Sequence, residues 1–399
     1  MPDPIPPPLP TLPQRLLSLD VYRGFAMLLM ASDGLRIPRV ASAFKDSSLW
    51  QFLAYETEHV DWIGCSVWDL IQPSFMFMVG VAMPFSLASR AALGQSFARR
   101  LFHAVFRALM LVGLGIFLRS VGSKQTYFTF EDVLSQIGLG YVFLFLLGHA
   151  KPKTQAIAAG LIIVGYWAAF ALTPLPPDGF NYAEVGLDPG WKRLEGFEAH
   201  WEKNTNFAHH ADVVFLNWFP REKRFLFNGG GYLTLSFVPS LATMIFGLLA
   251  GGWLRANRSP AEKTAKLAFA GLLALAVGYA IGALGLCPVV KRIWTPSWAI
   301  FAAGWTCIFL AGFYAILDWK RWRGWEFPLV VIGMNSITMY CCAHLIDGFI
   351  ARSLKIHLGQ HIFERFGDVY APMVEQTVVL GILWGILFWM YRRRIFIRI

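Results

Sequence analysis

Long apolar segments recur along the whole chain and are separated by short polar loops. A helix needs about 20 mostly apolar residues to cross a bilayer. Ten segments approach that length: 19–36, 66–89, 101–120, 131–149, 155–173, 232–254, 264–286, 295–317, 326–347 and 372–391. The pattern predicts an all-α, polytopic transmembrane helix bundle of about ten spans, so the lipid bilayer is an expected partner.

Basic residues occur in alternate loops and therefore predict how the bundle is oriented. Loops that carry several lysines or arginines are expected on the cytoplasmic side. These positions are Arg15, Arg90, Arg99, Arg100, Lys151, Lys153, Arg255, Arg258, Lys263, Lys266, Lys320, Arg321, Arg323, Arg392, Arg393 and Arg394. Both termini are then predicted to be cytoplasmic. The outer loops would be residues 37–65, 121–130, 174–231, 287–294 and 348–371.

The composition agrees with this class of protein. Hydrophobic residues make up 56% of the 399 positions and charged residues only 15%, unlike a soluble globular chain. The formal net charge of +10 could indicate nucleic-acid binding, but the basic residues fall mostly in short loops between apolar runs. We therefore expect no nucleic-acid partner.

Two segments differ from the apolar runs. Residues 1–14 are rich in proline and are predicted to form a disordered tail, which leaves residues 15–399 as a single transmembrane domain. The outer segment 174–231 is predicted to form a lid. Its aromatic side chains could stack on a sugar, or they could form the aromatic belt that is common at membrane interfaces.

Asp69 and Gln72 are polar positions at the start of an apolar run. Ionisable groups inside a membrane are expensive and commonly mark a functional site. Asp69 has a structural alternative, because Ser66 precedes it at capping-box spacing and a carboxylate stabilises the first turn of a helix. Gln72 lies three residues further on, so both side chains are expected to face neighbouring helices rather than lipid.

His59 lies in the outer loop that leads directly into this run. An imidazole at this position could act as a general base or accept an acyl group itself, with Glu58 or Asp61 orienting it. The alternative is a surface histidine without a role. Asp33, near the outer end of the first span, is expected to come within reach of the His59 loop.

Other polar positions are candidate contacts for a substrate or a cofactor, and each has a structural alternative. Arg23 could bind a phosphate, or it could pair with Asp20 three residues earlier. Lys291 could bind an anionic substrate, or it could extend its charge to the membrane surface. Asn228 opens a glycine-rich stretch that could hold an anion or form a flexible junction. Asn335 and its small neighbours could line a site or let helices pack closely.

No metal site is expected. The outer segment contains His200, His209, His210 and Asp212, but no further ligand follows at a recognisable metal-binding spacing. The five cysteines show no CxxC pattern. A disulfide between Cys65 and Cys287 is conceivable because both positions are predicted in outer loops.

The order of several motifs resembles the heparan-α-glucosaminide N-acetyltransferase family, including its bacterial relatives. The resemblance begins with the stretch from Arg15 to Gly24. It continues with a pattern formed by His59, Trp62, Gly64, Asp69, Pro73 and Gly80. The segments 229–251, 288–297 and 333–336, together with Tyr340, agree as well. The similarity extends over essentially the whole chain from Arg15.

The resemblance implies a transmembrane acyltransferase that uses acetyl-CoA and needs no metal. His59 would be catalytic, either as the acetyl carrier or as a base, and Asp69 would support it. The cofactor would contact Arg23, Arg90, Arg100 and Asn335. The glycan or amino-sugar acceptor would contact Asp33, Asp61, Trp62, Gln72, Asn228 and Lys291. The resemblance also suggests a homodimer.

The chain departs from the lysosomal members of this family. Those members carry an asparagine near the end of the span before the histidine loop, whereas this chain reads Ala31-Ser32-Asp33-Gly34 there. Their extra luminal region is expected to be absent from this protein. The expected acceptor is therefore a bacterial envelope glycan or amino sugar, and transfer to oxygen is an alternative to transfer to nitrogen. The expected location is the bacterial inner membrane, with the His59 loop in the periplasm. The alternative function is a transporter or flippase for a small polar substrate, with Asp69 and Gln72 along its path.

Overall fold

The computed structural model describes residues 16–397, so the predicted proline-rich tail lies outside the described residues. This part of the chain is mainly helical and contains no β-strand. Its α-helices are α1 (Leu17–Ala31), α2 (Ile37–Ala41), α3 (Ser48–Glu56), α4 (Ile71–Ala92), α5 (Phe97–Ser120), α6 (Val133–Leu147), α7 (Pro152–Ala171), α8 (Phe207–Phe215), α9 (Phe237–Arg255), α10 (Pro260–Ala283), α11 (Pro296–Tyr314), α12 (Phe327–Met334), α13 (Ser336–Leu345), α14 (Asp347–Leu358) and α15 (Ala371–Arg392). The all-α prediction is confirmed.

The prediction of ten spans is only partly reproduced. Between residues 16 and 397, seven helical stretches are long and apolar enough to cross a membrane: Trp68–Ala92, Phe97–Ser120, Pro152–Ala171, Thr234–Arg255, Pro260–Ala283, Pro296–Trp319 and Asp368–Arg392. Helices α12 and α13 could form an eighth, but they are bent by 80° at Asn335. Helices α1 and α6 have 15 residues each, which is shorter than a full span.

Two pairs of helices approach each other closely at glycines and form the centre of the bundle. A Cβ atom added to Gly80 of α4 would lie 1.9 Å from the Met244 carbonyl oxygen of α9. A Cβ added to Gly24 of α1 would lie 1.9 Å from the Leu329 carbonyl oxygen of α12. Such contacts are possible only without a side chain, as is common where membrane helices pack. They position α1 and α4, which carry much of the candidate site.

The first span is predicted to continue to residue 36, but α1 ends at Ala31 because the backbone leaves the right-handed helical conformation just after it. Asp33, Gly34, Leu35 and Arg36 have φ values of 47°, 57°, 49° and 51°, so four consecutive residues adopt the left-handed conformation. This conformation is unfavourable for residues with a side chain. Arg36 is held by an ion pair of 2.8 Å with Glu375 of α15, which ties the turn to the last helix.

Segment 174–231, which the sequence predicts on the outer side, packs onto the helix ends around one deeply buried residue. Trp201 is fully buried and stacks on Phe170 of α7, with ring centroids 6.3 Å apart. Its carbonyl accepts a hydrogen bond of 3.2 Å from the indole N–H of Trp62 in the His59 loop. Trp201 therefore serves packing rather than sugar stacking, whereas Trp218 is 75% exposed.

Candidate active site

Three loops meet where the candidate residues converge. We define the His59 loop as residues 57–67 and the Lys291 loop as residues 287–295. Ile63 and Val290 form an isolated antiparallel bridge between the two loops. The guanidinium of Arg292 donates hydrogen bonds to the carbonyls of Val60, at 3.2 Å, and of Gly230, at 2.8 Å. The end of the outer segment is thus joined to both loops.

His59 and Asp69 form a hydrogen-bonded pair. Nδ1 of His59 lies 2.7 Å from Oδ1 of Asp69, whose side chain is buried. Because an ionised carboxylate only accepts hydrogen bonds, Nδ1 carries the proton and Nε2 retains its lone pair. Glu58 and Asp61, which the sequence offered as partners of His59, are both exposed. The partner in the structure is Asp69, ten residues away.

Asp69 also performs the structural role that its sequence context predicts. Its Oδ2 accepts hydrogen bonds from the backbone N–H of Ser66, at 3.2 Å, from the Ser66 hydroxyl, at 3.1 Å, and from the backbone N–H of Val60, at 3.3 Å. One oxygen therefore organises the His59 loop while the other faces the imidazole. The capping and catalytic interpretations of Asp69 are compatible.

Lys291 brings a buried positive charge to this pair. Its Nζ lies 3.3 Å from Nδ1 and 3.4 Å from Nε2 of His59, and 3.9 Å from Oδ1 of Asp69. Burial lowers the pKa of Lys291 to about 8. His59 keeps 36% of its side chain exposed, and its partial desolvation lowers its pKa from the usual value; the hydrogen bond to Asp69 opposes this shift, and the Lys291 charge adds to it. At neutral pH this arrangement favours a neutral imidazole beside a charged ammonium.

A cavity of about 460 Å³, here called the His59 cavity, opens beside this cluster. Asp33, Gln72 and Lys291 line it, as the sequence suggested. Further lining groups that sequence reasoning missed are Arg119, Glu131, Asp132, Tyr232 and Asp347. Most of these are ionisable residues at the ends of apolar runs. Their position could have marked them as candidate site residues from the sequence.

Asp132 lines the His59 cavity and caps a helix, and its carboxylate packs against Gly115 of α5. Its Oδ1 caps α6 by accepting hydrogen bonds from the backbone N–H groups of Leu134, at 3.0 Å, and Ser135, at 3.1 Å. Its Oδ2 is buried and has no hydrogen-bond partner among the described atoms, although the residue is only 4% exposed. A buried acceptor without a partner is costly.

A second cavity of about 510 Å³ is lined by several arginines and is here called the arginine cavity. Arg23, Arg90 and Arg107 line it together with Asp20. Nη1 of Arg23 lies 3.6 Å from Oδ1 of Asp20, so the ion pair that the sequence offered as an alternative is present. Sequence reasoning missed Arg107, whose guanidinium donates a 3.2 Å hydrogen bond to the Tyr141 hydroxyl. An arginine well inside an apolar helix was the signal for it.

The two cavities follow one another along the same helices. On α1, Asp20, Arg23 and Met27 line the arginine cavity. Met30 and Ala31, further along the same helix, line the His59 cavity. Three residues line both cavities: Phe75 of α4, Val133 of α6 and Tyr340 of α13. We call these three residues the shared wall. A molecule in one cavity is separated from the other cavity by side chains rather than by a further helix.

The structure places two predicted cofactor residues outside both cavities. Asn335 is fully buried at the break between α12 and α13. Its amide donates to the carbonyl of Ile395, at 3.1 Å, and accepts from the N–H of Ile397, also at 3.1 Å. Its hydrogen bonds therefore hold the end of the described chain. Arg100 lines neither cavity.

Three predicted acceptor contacts also lie outside the His59 cavity. Asp61 is exposed, and Trp62 is buried against the outer segment. The side-chain oxygen of Asn228 accepts hydrogen bonds from the N–H groups of Gly230, at 2.9 Å, and Tyr232, at 3.2 Å. Asn228 therefore shapes the loop that brings Tyr232 to the cavity.

Neither a metal site nor a disulfide is found in the described part of the chain. Among residues 16–397, no group of three or more His, Cys, Asp or Glu side chains is arranged to hold a metal ion. Cys65 and Cys287 are both free, so the conceivable disulfide between them is not formed.

Comparison with known proteins supports a relationship to one group of enzymes. No family model matches the chain. The human heparan-α-glucosaminide N-acetyltransferase is 24% identical over 98% of this chain and 61% of its own length. The mouse enzyme of the same name is 21% identical over 96% of this chain and 60% of its own length. The chain thus spans about three-fifths of these curated relatives, and the similarity supports a relationship at the level of the family.

Proposed function

We propose that the protein is a membrane-embedded acyltransferase. It would take an acetyl or other acyl group from acyl-CoA in the arginine cavity and pass it to an amine, such as an amino sugar, in the His59 cavity. The observation that carries the proposal is the His59–Asp69 pair, which opens into a cavity that shares a wall with an arginine-lined cavity. The names of the human and mouse relatives agree with this chemistry.

The arginine cavity suits the donor. Coenzyme A carries several phosphates, and guanidinium groups bind phosphate by charge-assisted, often bidentate hydrogen bonds. Arg23, Arg90 and Arg107 supply three such groups around one cavity. We include Arg107 among the proposed donor contacts because it lines this cavity, and we leave out Arg100 because it does not. The thioester end of the donor would then point through the shared wall toward His59.

His59 can support acyl transfer by two routes. As a base, Nε2 takes the proton of the amine while the new C–N bond forms and the C–S bond breaks, and CoA leaves as a thiolate that is then protonated. As a nucleophile, Nε2 displaces the CoA thiolate to form an acyl-imidazole, which the amine then attacks. Both routes need the neutral imidazole with a free Nε2 that the Asp69 contact favours.

The polar groups of the His59 cavity favour an acceptor that carries an amine. Four carboxyl groups line this cavity: Asp33, Glu131, Asp132 and Asp347. Carboxylates attract ammonium groups and accept hydrogen bonds from amines and hydroxyls. These groups support an amino sugar or a related glycan as the acceptor class. We place the His59 cavity on the outer face of the membrane, in accord with the positive-inside rule.

The test is acyl transfer by the purified protein. The wild type, with labelled acetyl-CoA and glucosamine as a trial acceptor, should form labelled N-acetylglucosamine and release CoA. His59→Ala should lose this transfer while still binding acetyl-CoA. His357→Ala removes an exposed histidine of α14 and should behave like the wild type. Normal transfer by His59→Ala would contradict the proposal.

A transporter is the second candidate, and the shared wall is the observation that favours it. Cavities on both sides of a thin barrier are also what a transport path requires. A transporter would move a polar solute without acyl-CoA and would tolerate the loss of His59. Solute flux into proteoliposomes that contain no acyl-CoA, measured with His59→Ala, separates the two functions.

A further inference from the structure

We propose that Lys291 is a catalytic residue whose ammonium group stabilises the negative charge that develops on the acyl oxygen during transfer. The inference rests on the proposed function and assigns to Lys291 a step in the chemistry rather than a contact with the resting acceptor.

The position of Lys291 carries the inference. Its Nζ lies 3.4 Å from Nε2 of His59, the atom that reacts with the amine or the acyl group. When Nε2 acts as a base, the amine nitrogen lies within hydrogen-bond reach of it and the acyl carbon lies one bond further. When Nε2 acts as the nucleophile, it bonds to the acyl carbon directly. Nζ lies equally near Nδ1, at 3.3 Å, so the ammonium lies over the imidazole ring. In both routes, an acyl oxygen turned to that side of the ring would come within reach of Nζ.

The environment of Lys291 makes its charge effective. The side chain is only 5% exposed, and a charge acts more strongly where water is excluded. The charged groups nearest to it are Asp69 and Arg292. Its Nζ also lies 5.2 Å from the centre of the Tyr232 ring. Since the pKa of Lys291 is about 8, the amine remains mostly protonated at neutral pH.

The backbone that carries Lys291 is fixed before any substrate binds. The N–H of Trp294 donates to the Lys291 carbonyl at 2.9 Å, and the indole of Trp294 is buried and donates to Thr243 at 3.1 Å. The neighbouring N–H of Val290 donates to the hydroxyl of Thr295 at 3.0 Å. Rigid placement matters because a preorganised charge costs no reorganisation in the transition state.

The competing roles for Lys291 fit the structure less well. Arg292, the adjacent cation, is held by the carbonyls of Val60 and Gly230 and is therefore committed to joining the loops. An acyl group on the Lys291 nitrogen would form a stable amide, which cannot pass the group on. The charge of Lys291 also lowers the pKa of His59; that effect changes the pH at which the imidazole is neutral and does not stabilise the acyl oxygen, so the two roles can be measured separately.

The step conserves atoms and charge. In either route the C=O bond of the thioester opens to a C–O⁻ as the nucleophile adds, and it closes again as the C–S bond breaks. Lys291 donates a hydrogen bond to that oxygen while it is charged and keeps its proton throughout. In the base route, the amine proton goes to Nε2 of His59 and the CoA thiolate leaves. In the nucleophile route, the thiolate leaves as the acyl-imidazole forms; the amine then adds to the same carbon, the C–N bond to the imidazole breaks, and the freed Nε2 takes the amine proton.

The test compares charge-removing and charge-keeping variants of Lys291 in the purified full-length protein. Lys291→Met should lower kcat for acetyl transfer by about 10²- to 10³-fold, the usual loss for a removed oxyanion donor, and should leave acetyl-CoA binding unchanged. Lys291→Gln, a second variant without the charge, should behave in the same way. Lys291→Arg should retain much more activity than either. The matched control is Lys203→Met, which removes another buried lysine that contacts Trp191 in the outer segment.

A pH profile separates catalysis from a purely structural role. The positive charge of Lys291 helps to lower the pKa of His59, so its removal should shift the acidic limb of kcat to higher pH. Wild-type kcat in Lys291→Met and Lys291→Gln would overturn the inference. So would equal loss in all three variants without a shift of the acidic limb. Failure of the wild type to transfer acetyl groups would instead overturn the proposed function.

Discussion

Nδ1 of His59 lies 2.7 Å from Oδ1 of Asp69, and the buried carboxylate is held in place by Ser66 and Val60 on its other oxygen. The aspartate therefore sets both the tautomer and the direction of the imidazole. In the proposed reaction, it would also stabilise the imidazolium that forms when Nε2 takes a proton.

Asp69→Asn should reduce kcat strongly while the protein still folds. The amide keeps the shape of the side chain but cannot stabilise the imidazolium, so we expect a loss of about 10²- to 10⁴-fold, the range of general acid–base catalysis. Acetyl transfer and acetyl-CoA binding are measured together. Asp61→Asn removes an exposed carboxylate of the same loop and serves as the control. A mild effect of Asp69→Asn, similar to that of Asp61→Asn, would argue against the pair.

The rate should depend on pH in a bell-shaped manner. The neutral form of His59 is required, and its pKa is lowered by burial, so the rate rises with pH below 6.5. The charged form of Lys291 is required, and its pKa is about 8, so the rate falls at higher pH. We expect a plateau between these limbs when kcat is measured across the range. A rate that still rises well above pH 8 would contradict the role of Lys291.

Arg107→Met should weaken the binding of acetyl-CoA. A lost hydrogen bond to a charged group corresponds to about 1.5–3 kcal/mol, or roughly a 10- to 150-fold rise in Kd. Arg100→Met is the matched control, because Arg100 lines neither cavity. Binding is measured by calorimetry in detergent. Equal effects of the two variants would mean that the donor does not occupy the arginine cavity.

Val133→Phe should block transfer without preventing donor binding. Val133 belongs to the shared wall, and a larger side chain there would fill the passage between the cavities. Single-turnover transfer and acetyl-CoA binding are the two measurements. Val164→Phe makes the same change at a position of α7 that is 63% exposed and should be close to wild type. Unimpaired transfer by Val133→Phe would show that the acyl group takes another path.

Asn335→Ala should lower the thermal stability more than the affinity for acetyl-CoA. The substitution leaves the carbonyl of Ile395 and the N–H of Ile397 without their partner, at a cost of about 1–3 kcal/mol. The thermal midpoint in detergent should fall, and the end of the chain should become sensitive to protease. A large loss of donor affinity with an unchanged midpoint would restore Asn335 to the cofactor site.

The helices could be predicted from the sequence because each apolar run is long and local. The bends and turns that interrupt these helices could not be predicted in the same way. The bend at Asn335 is accompanied by hydrogen bonds to Ile395 and Ile397, sixty residues later. The left-handed turn after α1 is tied down by Glu375, more than three hundred residues away. Such contacts leave no periodic signal in the local sequence.

The candidate site shows the same limit. His59, Asp69 and Lys291 could each be selected from the sequence, but their meeting depends on a bridge between loops more than two hundred residues apart. Glu58 and Asp61 were attractive partners for His59 only because they are its neighbours in sequence. Arg107 and Arg119 were missed because the apolar residues around them dominate the pattern of α5.

The shared wall has an electrical consequence. Where water enters cavities from both faces of a membrane, the transmembrane voltage falls mainly across the thin barrier between them. A charge that crosses such a barrier exchanges about 2.3 kcal/mol with a potential of 100 mV. An acyl group is neutral and does no electrical work there, whereas a phosphate or an ammonium would. In the proposed arrangement, with the cavities open to opposite faces, an acyl group would pass Phe75, Val133 and Tyr340 at a rate that does not depend on the membrane potential, and an ion leak at the same place would be driven by it.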